Sequence, residues 1–264
     1  HSIIPKIVAT ASPHMESATY MNRLEQIAPL FSGWEETLIW SVLEGHMGQA
    51  IVEPEVNPVS AQLSVGDICF FAGVPSESLA LTAASDELVP QNEAWCEAIE
   101  RAWGDRVQKR LRYATKKEPD VFDRAKLQRY VDALPHEYEL KLFDASVCAL
   151  SQAESWSRDF CSCFQGIEDF LTRGFGAAIL KDGELVSGAS SYTIYHGGIE
   201  IEIDTKPEFR GQGLATVCGA RLILEALDRG LYPSWDAFDL RSVALAEKLG
   251  YHLSHPYTIY MKRA

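Results

Sequence analysis

The chain contains no run of about 18 apolar residues, the length a helix needs to cross a bilayer, so no membrane span is predicted. It has no Cys-x-x-Cys pair, and its six cysteines (Cys69, Cys96, Cys148, Cys161, Cys163 and Cys218) are scattered. Cys161-Ser162-Cys163 is too tight for metal-finger spacing, and several of the others sit inside apolar runs. They read as reduced core residues of a cytoplasmic protein, with a disulfide pair as the minor alternative, and no metal is expected. His252 and His255 lie three apart on a predicted strand or loop, where that spacing does not put both on one face. Basic residues are scarce. Lys and Arg number 24 against 37 Asp and Glu, a formal charge of −13, which argues against a nucleic-acid partner and is compatible with a cationic amine substrate, though for most of those carboxylates solubility is the favoured reading. No internal repeat, low-complexity segment or secretory signal is visible. The first two residues, His1 and Ser2, are left out of fold reasoning.

What is present is a soluble-protein composition, 47% apolar over 264 residues, enough for one large domain or two small ones. One segment carries more information than the rest. Residues 199–205, Ile-Glu-Ile-Glu-Ile-Asp-Thr, alternate as a strand does. A basic, glycine-containing turn follows, Arg210-Gly211-Gln212-Gly213-Leu214-Ala215, and then an amphipathic helix. A strand that feeds a helix through such a turn offers free backbone N–H groups and the positive helix end to a phosphate or pyrophosphate. The two glycines remove side chains where a ligand would approach, and Arg210 adds charge. A dinucleotide fingerprint needs a third glycine, and Thr216 stands there; a P-loop needs a closing Gly-Lys-Ser/Thr, which is absent.

The pattern Arg-x-x-Gly-x-Ala, preceded by Pro207-Glu208-Phe209, resembles the acyl-CoA-binding motif of the GNAT superfamily of acyl-CoA-dependent N-acyltransferases. A second match lies downstream at 233–251. Asp239 is a helix N-cap candidate, Ser242, Leu245 and Leu249 recur at helical spacing, and Gly250 is a C-terminal cap. The corresponding GNAT segment reads Asn-x-x-Ala-x-x-Leu-Tyr before Gly-Phe. Asp239 holds the Asn position, Ser242 the Ala position and Gly250-Tyr251 the Gly-Phe position. Ala246 replaces the Tyr that usually donates a proton to the departing thiolate. Segments 40–50, 66–73 and 234–251 further resemble the GNAT subfamily that includes zwittermicin A resistance-type acetyltransferases, which carries an extra N-terminal domain.

The resemblance implies an α/β (α+β) fold. A GNAT-like, mixed and largely antiparallel sheet flanked by helices follows a smaller α/β N-terminal domain. The expected boundary is Leu134-Pro135, with the GNAT domain in 135–264 and a unit in 1–134 that could itself be a degenerate GNAT-like domain. Within the C-terminal half, strands are predicted at 138–143, 176–181, 185–195, 199–205 and 233–237, with helices over 145–164, 167–173 and from Leu240. Asp182-Gly183 is a hairpin turn. The loop 114–120 is read from its polarity. The basic run 106–117 reads as a solvated face, with neutralisation of the CoA 3′-phosphate as the alternative.

By strand alternation Glu200, Glu202 and Asp204 share one face, and a carboxylate there could take the proton of an attacking ammonium. The alternative is a solvent-facing strand surface. The resemblance implies acetyl-CoA as cosubstrate. Ile203 and Thr205 would hold the pantetheine by their backbone. Arg210, Gly211, Gln212, Gly213, Leu214, Ala215 and Thr216 would cradle the pyrophosphate, with Asp239 and Ser242 on the pantetheine side. Glu200 or Glu202 is the expected base, and Ser242 (through water) or Tyr251 the candidate acid for the thiolate, with helix packing as the alternative for Ser242 and a core position with a rim hydroxyl as the favoured one for Tyr251. The expected activity is N-acetylation of a primary amine of a small molecule. A catalytically weak acyl-CoA-binding module is the alternative, and an aminoacyl-transferring tandem GNAT is disfavoured by the acidic charge.

Overall fold

A computed structural model describes residues 6–8 and 17–264; His1 and Ser2 lie outside the described residues. The chain divides into two compact units, 1–112 with 257–264, and 113–256.

In the first unit, β1 (Lys6–Val8), α1 (Ser17–Ile27) and α2 (Thr37–Leu43) precede the antiparallel strands β2 (Gln49–Glu53), β3 (Ser60–Val65) and β4 (Ile68–Gly73). Then come α3 (Glu77–Ala80), β5 (Glu87–Pro90), α4 (Glu93–Trp103) and β6 (Val107–Thr115), whose end passes into the second unit. Asn92 caps α4 by accepting a hydrogen bond from the Trp95 N–H at 3.1 Å. The basic run forms β6, at the edge of its sheet. Lys109 is exposed on it and Arg112 pairs with Glu87 at 3.2 Å. Charge on an edge strand deters pairing with other chains.

The second unit follows as α5 (Arg124–Asp132), β7 (Glu139–Leu142), α6 (Ala145–Gln152), α7 (Ile167–Arg173), β8 (Gly176–Lys181), β9 (Glu184–Tyr195), β10 (Gly198–Thr205), α8 (Leu214–Asp228), β11 (Tyr232–Ser234), α9 (Leu240–Leu249) and β12 (Leu253–Lys262). The sheet order is β11-β10-β9-β8-β7, antiparallel except for the parallel pair β10–β11. Asp182 and Gly183 both take positive φ, +50° and +78°, as a two-residue hairpin turn requires. Gly250 ends α9 at φ +118°.

The boundary expected at Leu134-Pro135 falls inside the second unit. The reason is packing: Leu127 of α5 is 1% exposed and belongs to the core that Leu214, Cys218 and Leu222 of α8 build over Ile199 and Ile201. A cut after residue 134 would remove a wall of that core. The chain end also departs from expectation, since β12 returns to the first unit and pairs antiparallel with β5, Tyr260 opposite Leu88. Tyr260 is buried there with Phe71 and Trp95. All six cysteines are free thiols. No helix among the described residues is long and apolar enough to cross a membrane.

Candidate active site

The site arises where two parallel strands part. β11 pairs with β10 only from Gly198↔Tyr232 to Glu200↔Ser234. Beyond that point β10 continues to Thr205, while the other strand turns off through Trp235 to the α9 N-cap, Asp239. The gap is a cleft of about 550 Å³, with Glu202–Thr205 and Trp235, Phe238 and Asp239 among its lining. Four consecutive strand residues line it, so the backbone edge of β10 faces the cleft. The Lys206 N–H donates to the Val186 carbonyl at 2.8 Å, which fixes the hydrogen-bonding register with β9. By period two, Ile203 and Thr205 then turn their N–H and C=O groups away from β9, towards the cleft.

At Thr205 both groups are already used. Its N–H donates to Asp204 Oδ1 at 2.8 Å, and its carbonyl accepts from Arg210 Nε at 3.2 Å. Arg210 also lies 3.4 Å from Asp204 through Nη2. Burial pushes the Asp204 carboxyl up, against the opposing pull of the Thr205 N–H and Arg210. Of Ile203 and Thr205, that leaves Ile203 with backbone groups turned towards the cleft.

The helix end of the cleft fits a pyrophosphate. Gly213 is the N-cap of α8 in the left-handed region, φ +80°, and no side chain caps the helix. Gly211 has φ +77°, and a Cβ at either glycine would meet no protein atom within 4 Å. The glycines thus serve the turn conformation and leave the space over the first-turn amides clear. Gly211, Gly213, Leu214 and Ala215 line the cleft. Thr216 does not: it is 6% exposed, under the helix, so the expected hydroxyl donor is turned into the fold. Gln212 is exposed, and its Oε1 accepts from the Tyr138 hydroxyl at 2.7 Å, which braces the turn against the start of β7.

The carboxylates of β10 separate by environment. Ile199 and Ile201 point into the α8 core, as alternation requires. The opposite face meets the 3-10 turn Ser155–Phe160, whose Phe160 carbonyl accepts from Ser190 Oγ at 2.7 Å, with Ser190 directly across from Glu202. Glu200 is 5% exposed and its Oε1 accepts from the Asp236 N–H at 2.8 Å. It ties β10 to the turn after β11 and does not line the cleft. Glu202 is partly buried and does line it. Of the two expected bases, only Glu202 lines the cleft.

The expected acids separate likewise. Asp239 Oδ1 accepts from the Ser242 N–H at 2.9 Å, and both residues line the cleft at the start of α9. Tyr251 does not. It is 1% exposed, packed against Phe122 and Trp235, with its hydroxyl donating to the Pro233 carbonyl at 2.5 Å. Burial raises its pKa well above the ordinary phenol value. Its aromatic mass fills the core and its proton is committed. Tyr251→Phe is expected to cost about 1–3 kcal/mol in stability by leaving that carbonyl unsatisfied, with turnover unchanged. Chemical denaturation beside a rate assay checks both. Ala246, at the usual Tyr position, is 1% exposed in the same core.

Sequence reasoning passed over Phe209, Trp235, Phe238 and Arg241, which also line the cleft. Phe238 is 37% exposed, and the clue available in the sequence was a large aromatic residue directly before the cap candidate Asp239. Among the described residues no group of three or more His, Cys, Asp or Glu is placed to hold a metal ion.

The family model for GNAT acetyltransferases matches residues 28–260, and the chain belongs to that family. An uncharacterized N-acetyltransferase, YdfB, of Bacillus subtilis (strain 168) is 31% identical over 175 residues, 66% of this chain and 64% of that relative's length. A GCN5-related N-acetyltransferase-like protein from Streptococcus suis 89/1591 superposes with a TM-score of 0.88 at 46% identity, covering 92% of this chain and 99% of that one. A tandem GNAT protein from the clavulanic acid biosynthesis pathway shares the fold at TM-score 0.56 and 12% identity, over 97% of both chains.

Proposed function

We propose that this protein transfers an acetyl group from acetyl-CoA to a primary amine of a small molecule, by direct attack within a ternary complex. The observation that carries this reading is the cleft between β10 and the segment after β11, closed at one end by the uncapped, glycine-opened start of α8. Ile203 holds the pantetheine through its backbone. The first-turn amides of α8 hold the pyrophosphate. Holding both reactants in one cleft turns a bimolecular reaction into an effectively unimolecular one. Glu202 takes the ammonium proton of the amine, directly or through one water. Ser242, at the rim, is the candidate to relay a proton to the thiolate through water. The six free thiols suit a reducing, cytoplasmic compartment. The first unit is read as an accessory, GNAT-like unit, a reading supported by the overall likeness to a tandem GNAT protein.

CoA is the probe that tests the site. At a hundredfold excess over its dissociation constant it is expected to stabilise the full chain by about 2.7 kcal/mol, seen as a rise in Tm. NAD and ATP are the comparison ligands. No shift with millimolar CoA, or a larger one with NAD, would contradict the reading.

A further inference from the structure

We propose that Arg241 is the second wall of the pyrophosphate site: its guanidinium faces the phosphates across the cleft from the α8 amides. This rests on the acyl-CoA reading above and goes beyond the motif that suggested it, in which Arg210 is the expected cation.

The electrostatics of the cleft call for such a group. Its lining holds the carboxylates Glu202, Asp204 and Asp239 against the guanidiniums Arg210 and Arg241. A pyrophosphate brings further negative charge into a cleft that already holds more carboxylates than cations. Arg210 cannot give its whole fork to a ligand. Its Nε is spent on the Thr205 carbonyl at 3.2 Å and its Nη2 lies 3.4 Å from Asp204 Oδ1. Asp204 is itself partly buried and bound to the Thr205 N–H, so this pairing is built into the end of β10.

Arg241 stands differently. It lies in the first turn of the ten-residue helix α9, two residues past the N-cap, and is exposed. Among the described residues it has no hydrogen bond, ion pair or ring contact. The nearby carboxylate of Asp239 is committed to the Ser242 N–H at 2.9 Å. Arg241 thus lines the same cleft as Gly211, Gly213 and Ala215, from a different element, with its fork uncommitted. A guanidinium with its donors free matches phosphate oxygens in a way an ammonium does not.

Calorimetric titration of the full chain with CoA, dephospho-CoA and pantetheine tests this. Dephospho-CoA keeps the pyrophosphate and lacks the 3′-phosphate; pantetheine lacks both. Arg241→Gln is expected to weaken CoA and dephospho-CoA by the same factor, about tenfold or more, the worth of one charge-assisted hydrogen bond. Pantetheine affinity is expected to stay unchanged, and Arg241→Lys to recover part of the loss. Unchanged CoA affinity in Arg241→Gln would overturn the proposal. So would an equal loss with pantetheine, which would mark a packing role, or a loss with CoA alone, which would move the contact to the 3′-phosphate. If the wild-type chain binds none of the three, it is the acyl-CoA reading itself that fails.

Discussion

Gly213→Val is expected to abolish CoA binding while leaving the far-UV circular dichroism of the chain unchanged. Gly213 sits at φ +80°, where a residue with a Cβ pays about 1–2 kcal/mol. That is a minor part of the roughly 5–15 kcal/mol that holds a domain together, so the variant folds. A Cβ at this position meets no protein atom within 4 Å, so the valine methyls have no neighbour to displace. They occupy the space over the α8 amides that a pyrophosphate needs. Gly183→Val is the matched control. Gly183 has φ +78° and equally open surroundings, but it lies in the β8–β9 hairpin and does not line the cleft. It is expected to lose similar stability and keep CoA affinity. Equal CoA affinity in both variants would remove Gly213 from the site.

Glu202→Gln is expected to lower turnover by about 10²–10⁴-fold while CoA affinity hardly changes. The substitution keeps shape and a carbonyl acceptor and removes the group that takes the proton. On the proposed reading backbone groups hold the pantetheine, and the change does not touch them. The acidic limb of the pH–rate profile, which reports protonation of the base, is expected to vanish with it. Glu200→Gln should behave differently. It weakens the acceptor for the Asp236 N–H, so its loss appears in thermal stability, with the pH profile retained. If Glu202→Gln keeps wild-type turnover and the same acidic limb, Glu202 is not the base.

The parts of this site that were legible in the sequence are those set by local rules. Alternation placed the isoleucines and carboxylates of β10 on opposite faces, glycine marked the left-handed turn, and Asp239 and Gly250 marked the ends of α9. Each is decided by residues within one turn or one strand. What sequence could not show depends on partners far along the chain. Tyr251 matched a motif position, and only the fold reveals that its hydroxyl is held by Pro233 and its ring by Phe122. Glu200 and Glu202 are equivalent in pattern, and the bond from Asp236 separates them. Arg210 matched the motif and is partly spent on Thr205 and Asp204. The run 106–117 carried so many cations that its strand character was hidden; on the edge strand Lys109 stays exposed while Arg112 is neutralised by Glu87. The division of the chain was misplaced because α5 completes the α8 core, a contact between segments about ninety residues apart in the sequence.

The most direct test of acyl transfer at this cleft is amine-dependent release of free CoA thiol from acetyl-CoA, followed across a panel of small primary amines, with the mass of the product measured in parallel. The account predicts thiol release with at least one amine, matched by a product heavier by one acetyl group, and absent in Gly213→Val. Tight CoA binding with no amine-dependent release from any of them would contradict it and make the chain an acyl-CoA-binding module.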